Sequence, residues 1–274
     1  MPEKNTFLFS IDLEDARENA VEGHKYADRV EANTEVYLNW LSHHNFNCTF
    51  FVVGKVAEKY PGLIKNIVSQ GHEVACHSYD HLPVAELGKE KFKIDLEKNI
   101  NALQKAGVND IKGFRAPIFS LTKNCIWAYD VMKELGLTYS SSVLPAKNPL
   151  YGWEDFGDTY KKMDNGIIEF PITLANFGPM KIPIAGGVYF RVLPTFFILN
   201  SIQKKFEKKE PVLSYFHPYD IDTLQEKYMH AGIKDNKFYN WLLYYNRKNV
   251  IKRLDKLLEL NVEITTYKKY LQNL

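Results

Sequence analysis

The sequence predicts an α/β fold on a parallel sheet, either closed into a (β/α) barrel or left open. Three observations predict it. Short β-rich runs alternate with helix-like segments along most of the chain, which demands parallel pairing through crossover helices. Gly71, Gly107 and Gly136 sit just past three of the helical segments, where a left-handed residue commonly ends a helix. The 274 residues, 45% apolar and 25% charged, suit a packed chain of barrel size and exclude a disordered, collagen-like or coiled-coil polypeptide.

Taken in order, Phe7–Leu13 reads as the first strand and Ala32–His44 as the first helix. Cys48–Val53, a run of β-branched and aromatic residues, is the second strand, and Pro61–Gln70 the helix that Gly71 ends. His72–His77 follows as the third strand. Lys89–Ala106 is a helix because Phe92, Leu96, Ile100 and Leu103 recur at helical spacing. Ile111–Ala116 is the fourth strand, Lys123–Leu135 a helix, and Leu137–Val143 and Ile168–Thr173 the fifth and sixth strands. Pro194–Lys208 is helical, Val212–His217 the seventh strand, Asn246–Leu260 helical and Val262–Tyr267 the eighth strand. Two stretches break the rhythm, Pro145–Asn165 and Asn176–Phe190, the second containing Pro179, Pro183 and Gly186-Gly187. Loops of that length are often functional. No internal repeat or Ser/Gly linker marks a boundary, so residues 1–274 are expected to form one domain.

A net charge of +2 is too balanced for the positive field that non-specific nucleic-acid binding needs. Cys48, Cys76 and Cys125 are odd in number and irregularly spaced, which argues against a disulfide framework and for a reducing compartment. Met1–Ser10 lacks the basic and long apolar regions of an export signal, and the apolar stretch around Val192–Asn200 is too short to span a bilayer. A cytoplasmic location is the expectation.

Polar residues gather at strand ends: Asp12-Leu13-Glu14-Asp15, His77-Ser78-Tyr79-Asp80-His81, Arg115-Ala116-Pro117 and His217-Pro218-Tyr219-Asp220. In a parallel barrel these ends share one face, where active sites of that architecture lie. Residues four apart in a strand are separated by about 13 Å, whereas a helical turn brings them to about 5–6 Å, so His77 and His81 share an ion only if the chain turns after Cys76. Two imidazoles and one carboxylate leave coordination positions open for water and substrate. Asp12, Glu14 and Asp15 can supply that carboxylate and a second one as general base. Arg115 suits a partner that keeps the base ionised. His217, stiffly held before Pro218, suits protonation of a leaving amine. His72 is expected to cap or pack beneath the site.

These residues resemble the polysaccharide deacetylases of the NodB-homology type, carbohydrate esterase family 4. The motifs arrive in the family's order: Phe9-Ser10-Ile11-Asp12, Gly71-His72-Glu73 leading to His77 and His81, Phe114-Arg115-Ala116-Pro117, and Tyr215-Phe216-His217-Pro218. Glu169-Phe170-Pro171 and Ala185-Gly186-Gly187-Val188-Tyr189-Phe190-Arg191 look like the subgroup of exopolysaccharide and surface-glycan biosynthesis. The resemblance implies a single-domain, distorted (β/α) barrel of about seven to eight parallel strands. It also implies one divalent ion, usually zinc, and hydrolysis of an N-acyl group on an amino sugar.

Carried onto this chain, the resemblance makes Asp12 the catalytic base, Arg115 its tether, His217 the acid, and His77 and His81 metal ligands. The family's usual adjacent aspartates are missing, because Leu13 follows Asp12. The metal carboxylate is Glu14 or Asp15, with Asp15 favoured on the expectation of a turn after Glu14. The acid's usual aspartate partner has no evident counterpart. An oxyanion contact is expected from a backbone N–H after Arg115. Pro117, Tyr189 and Arg191 are expected at the substrate, Arg191 meeting a diphosphate.

Absence of an export signal points to a nucleotide- or lipid-linked sugar as substrate. The alternatives are a cyclic amide hydrolase of the imidase or allantoinase kind and a non-catalytic glycan-binding barrel. Aromatic residues are in excess, with 17 Tyr and 17 Phe. Those near strand ends are candidates for stacking on a sugar. The run Phe238–Tyr245 is read as a structural helix, with docking of a second copy or a membrane surface as the other readings.

Overall fold

A kink at Phe9 divides the first expected strand into β1 (Asn5–Leu8) and β2 (Ser10–Leu13), and the sheet is built around that division. The computed structural model describes residues 5–274 apart from 149, 179 and 231–234; Met1–Lys4 and Pro179, noted above, lie outside it. From β2 the sheet runs through β3 (Thr49–Val52), β4 (Glu73–Cys76), β5 (Gly113–Phe114) and β6 (Tyr139–Ser140), all parallel. Past the short edge strand β7 (Lys161–Lys162) comes β8 (Ile168–Glu169), parallel to β6 and antiparallel to β7. The chain then forms an antiparallel hairpin of β9 (Leu174–Phe177) and β10 (Met180–Pro183). β11 (Val212–Leu213) and β12 (Val262–Thr265) both flank β1 in parallel.

Closure between β8 and β11 is irregular. Leu213 N–H donates to Thr173 Oγ1 at 2.8 Å, just beyond β8, and the Ala185–Gly187 segment runs beside Tyr215. Gly186 is required there by close approach, since a Cβ would lie 1.8 Å from the Tyr215 carbonyl oxygen. The result is a distorted (β/α) barrel, as expected.

The helices are α1 (Val30–His43), α2 (Gly54–Lys59), α3 (Pro61–Ser69), α4 (Val84–Leu87), α5 (Lys89–Lys105), α6 (Trp127–Glu134), α7 (Gly187–Val192), α8 (Thr195–Glu207), α9 (Lys237–Tyr244), α10 (Val250–Leu258) and α11 (Tyr267–Leu271). Gly71, Gly107 and Gly136 adopt φ of +82°, +98° and +82°, the left-handed conformation that ends α3, α5 and α6. α5 buries Phe92, Leu96 and Leu103, each contributing about 1.5–3 kcal/mol of apolar burial. The same face also buries Asp95 and Asn99.

Inside the barrel a small cluster of Leu8, Phe51, Ala75, Tyr139, Phe170, Leu213 and Tyr267 fills the space below the strand ends. Tyr139 and Tyr267 stack with centroids 5.4 Å apart.

Two expectations change. Asn176–Phe190 is not a loop but the β9–β10 hairpin followed by α7, a turn-rich sequence whose regularity comes from strand pairing rather than from periodicity. The aromatic run Phe238–Tyr245, read as structural, forms α9, which buries none of its residues. No helix among the described residues is long and apolar enough to cross a membrane.

Candidate active site

The register places the strand ends side by side: Cys76 opposes Phe114, and Phe114 opposes Ser140, so His77, Arg115 and Ser141 leave the sheet together. Arg115 is completely buried, and every donor of its guanidinium has a partner. Nη1 donates to Asp12 Oδ1 at 2.6 Å and Ser10 Oγ at 2.8 Å; Nη2 to Tyr267 OH at 2.9 Å and Ser141 Oγ at 3.0 Å; Nε to the Ser141 carbonyl at 3.1 Å. Its planar group lies 4.1 Å from the Phe51 ring centroid. Although burial alone would favour deprotonation, the Asp12 charge raises the Arg115 pKa and keeps it a cation. Asp12 is therefore a buried carboxylate held in a single orientation.

The chain does turn after Cys76. Ser78 and His81 take left-handed backbone conformations, φ +66° and +56°. Asp95 of α5 fixes the turn by accepting the Tyr79 and Asp80 N–H groups at 2.9 and 3.3 Å, and Asn99 accepts the His77 N–H at 3.0 Å. The two imidazole centroids end 5.1 Å apart. Polar residues on the buried stripe of a helix, directly after a His-x-x-x-His, were the sequence signal for these supports.

The carboxylate facing the histidines is Glu14, not the favoured Asp15. Glu14 Oε2 lies 2.6 Å from His81 Nε2 and 4.0 Å from His77 Nε2, and Glu14 Oε1 accepts from Tyr219 OH at 2.7 Å. Asp15 instead caps the following 3-10 turn and pairs with Arg17. The turn begins one residue later than expected, so Glu14, just past β2, faces the histidines while Asp15 is taken up, buried, by the cap and the Arg17 pair.

Glu14, His77 and His81 bring ligand atoms within 4.8 Å of one another. His77 Nδ1 lies 2.8 Å from the Arg115 carbonyl, which fixes the tautomer that donates from Nδ1 and leaves the Nε2 lone pair towards Glu14. Burial pushes the His77 pKa down to about 4, so this ring is neutral. Burial works against the Glu14 charge, but His81, then His217 and His77, hold its pKa well below the usual carboxylate range. One carboxylate and two imidazoles, one of them braced from behind, form a donor set that could hold a divalent ion such as zinc.

His217 stands across from this group, its Nε2 3.9 Å from Glu14 Oε1 and its ring stacked on Tyr219. Its missing aspartate is Asp220, three residues on, which accepts from both the His217 backbone N–H and Nδ1 at 2.9 Å. Burial opposes the cation, but Asp220, with Glu14 and Asp12, raises the His217 pKa to about 9. Asp220 is gripped in turn by Arg191, whose Nε lies 3.0 Å from Oδ1. Arg191 is thus not at the substrate. It is 1% exposed, and its Nη1 caps the carbonyls of Leu242, Leu243 and Tyr245 at the end of α9.

A cavity of about 1370 Å³ contains Asp12, Glu14, His77, His81 and His217, with Tyr189, Tyr215, Tyr219 and Phe119 in its walls. Tyr189 of α7 lines this cavity. Pro117 is buried and not part of the wall, which its neighbours Ala116, Ile118 and Phe119 form instead. The Ala116 N–H is taken by Ser142 Oγ and Pro117 has none, so neither can serve as an oxyanion donor.

Residues 24–140 match the family model described as polysaccharide deacetylase, and residues 141–272 match one described as a domain of unknown function (DUF3473). The boundary falls between the paired strands β6 and β8. His77, His81 and Arg115 come from the first match; His217, Asp220 and Arg191 from the second. A peptidoglycan-N-acetylglucosamine deacetylase of Bacillus cereus is 30% identical over 35% of this chain and 35% of its own length. A chitooligosaccharide deacetylase of Sinorhizobium fredii is 32% identical over 36% of this chain and 44% of its own. The chain thus spans less than half the length of these curated relatives.

Among solved structures, a Mycobacterium smegmatis protein classed with the polysaccharide deacetylases superposes with a TM-score of 0.62 at 15% identity, covering 100% of this chain and 91% of that one. A CE4 family pseudoenzyme from Bacillus anthracis gives 0.52 at 14% identity, covering 98% and 65%. At such identities the likeness is one of fold.

Proposed function

We infer that the chain, whose residues 24–140 match the polysaccharide deacetylase family model, is a hydrolase that removes an N-acyl group, acetyl in the first instance, from an amino sugar. One arrangement carries the reading: within one cavity, an arginine-tethered carboxylate (Asp12) and an aspartate-supported histidine (His217) flank the Glu14, His77 and His81 donors. These are the two proton-transfer groups that amide hydrolysis needs, in opposite protonation roles.

A divalent ion held by Glu14, His77 and His81 would supply Lewis acidity at the amide carbonyl. Asp12, fixed by Arg115, accepts a proton from the attacking water as the C–O bond forms. His217, cationic with a pKa of about 9, gives its Nε2 proton to the departing sugar nitrogen as the C–N bond breaks. Asp220 accepts the Nδ1 hydrogen bond throughout and keeps that proton aimed inward. A carboxylate and a free amine are the products. Tyr189 and Phe119, which line the cavity, would stack on the sugar ring.

The reading extends to a role in surface-glycan biosynthesis, in the cytoplasm, on a nucleotide- or lipid-linked precursor. Support comes from the Glu169-Phe170-Pro171 and Ala185–Arg191 motifs and from three cysteines that are all free and buried. The test is acetate release from N-acetylated amino-sugar oligomers, with hydantoin as the cyclic-amide control. Asp12→Asn should retain metal, measured by elemental analysis, and lose about 10²–10⁴-fold in rate. An Asp12→Asn chain as fast as the native one, or native turnover of hydantoin alone, would refute the assignment.

A further inference from the structure

Asp and Glu make up 33 of the 274 residues, yet none occurs between Phe170 and Phe206 or between Asn236 and Leu254, segments long enough to hold several. All charged side chains in both are basic. The two segments fold side by side, α7 packing against both β10 and α9. They also carry much of the exposed apolar surface. Phe196 is 77% exposed, Phe238 63%, Met180 58% and Trp241 51%, with Phe177 and Tyr245 less so. Phe238, Trp241 and Tyr245 adjoin in a row along α9 and its C-cap, with centroids 6.0 and 4.7 Å apart, on a helix none of whose residues is fully buried.

We propose that this face docks on an anionic lipid surface. Projecting rings and a methionine enter the headgroup layer, and the basic side chains around them meet lipid phosphate. Amphipathic aromatic rings beside exposed lysines, here Lys204, Lys237, Lys248 and Lys252, are the chemistry of an interfacial helix. The one-signed charge complements an anionic leaflet.

The face is continuous with the cavity. Tyr239 of α9, Met180 of the hairpin and Tyr189 of α7 all line it. A docked molecule therefore holds its cavity mouth at headgroup level, where an amino sugar on a lipid carrier would be presented. That substrate assignment rests on the deacetylase reading above; the surface binding does not.

The test is co-sedimentation of the full chain with vesicles of equal parts phosphatidylglycerol and phosphatidylcholine, against phosphatidylcholine alone. The bound fraction should be about ten-fold higher on the anionic vesicles and fall as salt is raised. Phe238→Ser/Trp241→Ser, and separately Phe196→Ser on α8, should each lower it about five-fold while leaving hydrolysis of a soluble N-acetylated oligosaccharide unchanged. The proposal is overturned if the native chain stays in the supernatant with both vesicles, or if the substituted chains bind as well as the native one. It is overturned equally by a native dimer that the double substitution dissociates, which would make the face an interface between copies. Vesicle binding without any deacetylation would overturn only the substrate half.

Discussion

Replacing Arg115 by Met tests whether the barrel interior is organised around a single cation. The substitution keeps the bulk and removes all five donors. Asp12 is then left as a buried carboxylate without a counter-ion, and the Ser10, Ser141 and Tyr267 oxygens lose their partner. Breaking a buried pair in this way costs about 3–5 kcal/mol. For a chain of 274 residues the unfolding entropy is about 0.6 kcal/mol/K, so about 4 kcal/mol lowers Tm by about 7 °C.

A second substitution isolates the charge. In Asp12→Asn/Arg115→Met the orphaned anion is gone, and about 1.5–3 kcal/mol of the loss should return as a coupling energy in the double-mutant cycle. The measurement is calorimetric or circular-dichroism melting of the four proteins. A single Arg115→Met chain that melts within about 2 °C of native, or a cycle with no coupling, would refute the reasoning.

Other outcomes follow from the same geometry. Glu14→Gln should lower zinc retention after dialysis about 10–100-fold, whereas Asp15→Asn should keep the metal and lose only stability, about 1–3 kcal/mol, through the Arg17 pair and the cap. Equal zinc loss in both would refute the choice of Glu14. Asp220→Asn removes the charge that raises His217 to about 9, so the alkaline limb of kcat/KM should move to lower pH with KM little changed; an unmoved limb would mean His217 is not the acid.

Stability should also depend on His72, which is held neutral by burial with a pKa of about 4 and accepts the Cys48 N–H at Nδ1. Its folded pKa lies below the unfolded one, so its contribution is complete above about pH 6.5 and is lost as pH falls towards 4, about 2–3 kcal/mol by pH 4.5. Urea midpoints across that range should shift accordingly, and His72→Asn, which can still accept that bond, should flatten the dependence. An identical pH slope in the variant would remove His72 from the account.

Alternation of strand and helix, glycine helix stops and the clustering of Asp12, His77, Arg115 and His217 at strand ends are local patterns, and each reflects backbone preferences or the period of burial. They determined the barrel and most of its polar mouth from the sequence alone. Tertiary structure decided what depends on direction rather than position. Glu14 faces the histidines and Asp15 does not, because the turn after β2 starts one residue late. Arg191 points back into the protein because an uncompensated Asp220 and the open carbonyls of α9 need its donors there. The partners of Asp95, Asn99 and Asp220 were decided only when segments distant in sequence, or a tight turn, brought each carboxylate or amide within hydrogen-bond reach of an otherwise unsatisfied N–H. The aromatic run that looked like core lies on the surface for the same kind of reason: helical periodicity says which residues share a face, and only the packed neighbours determine whether anything covers it.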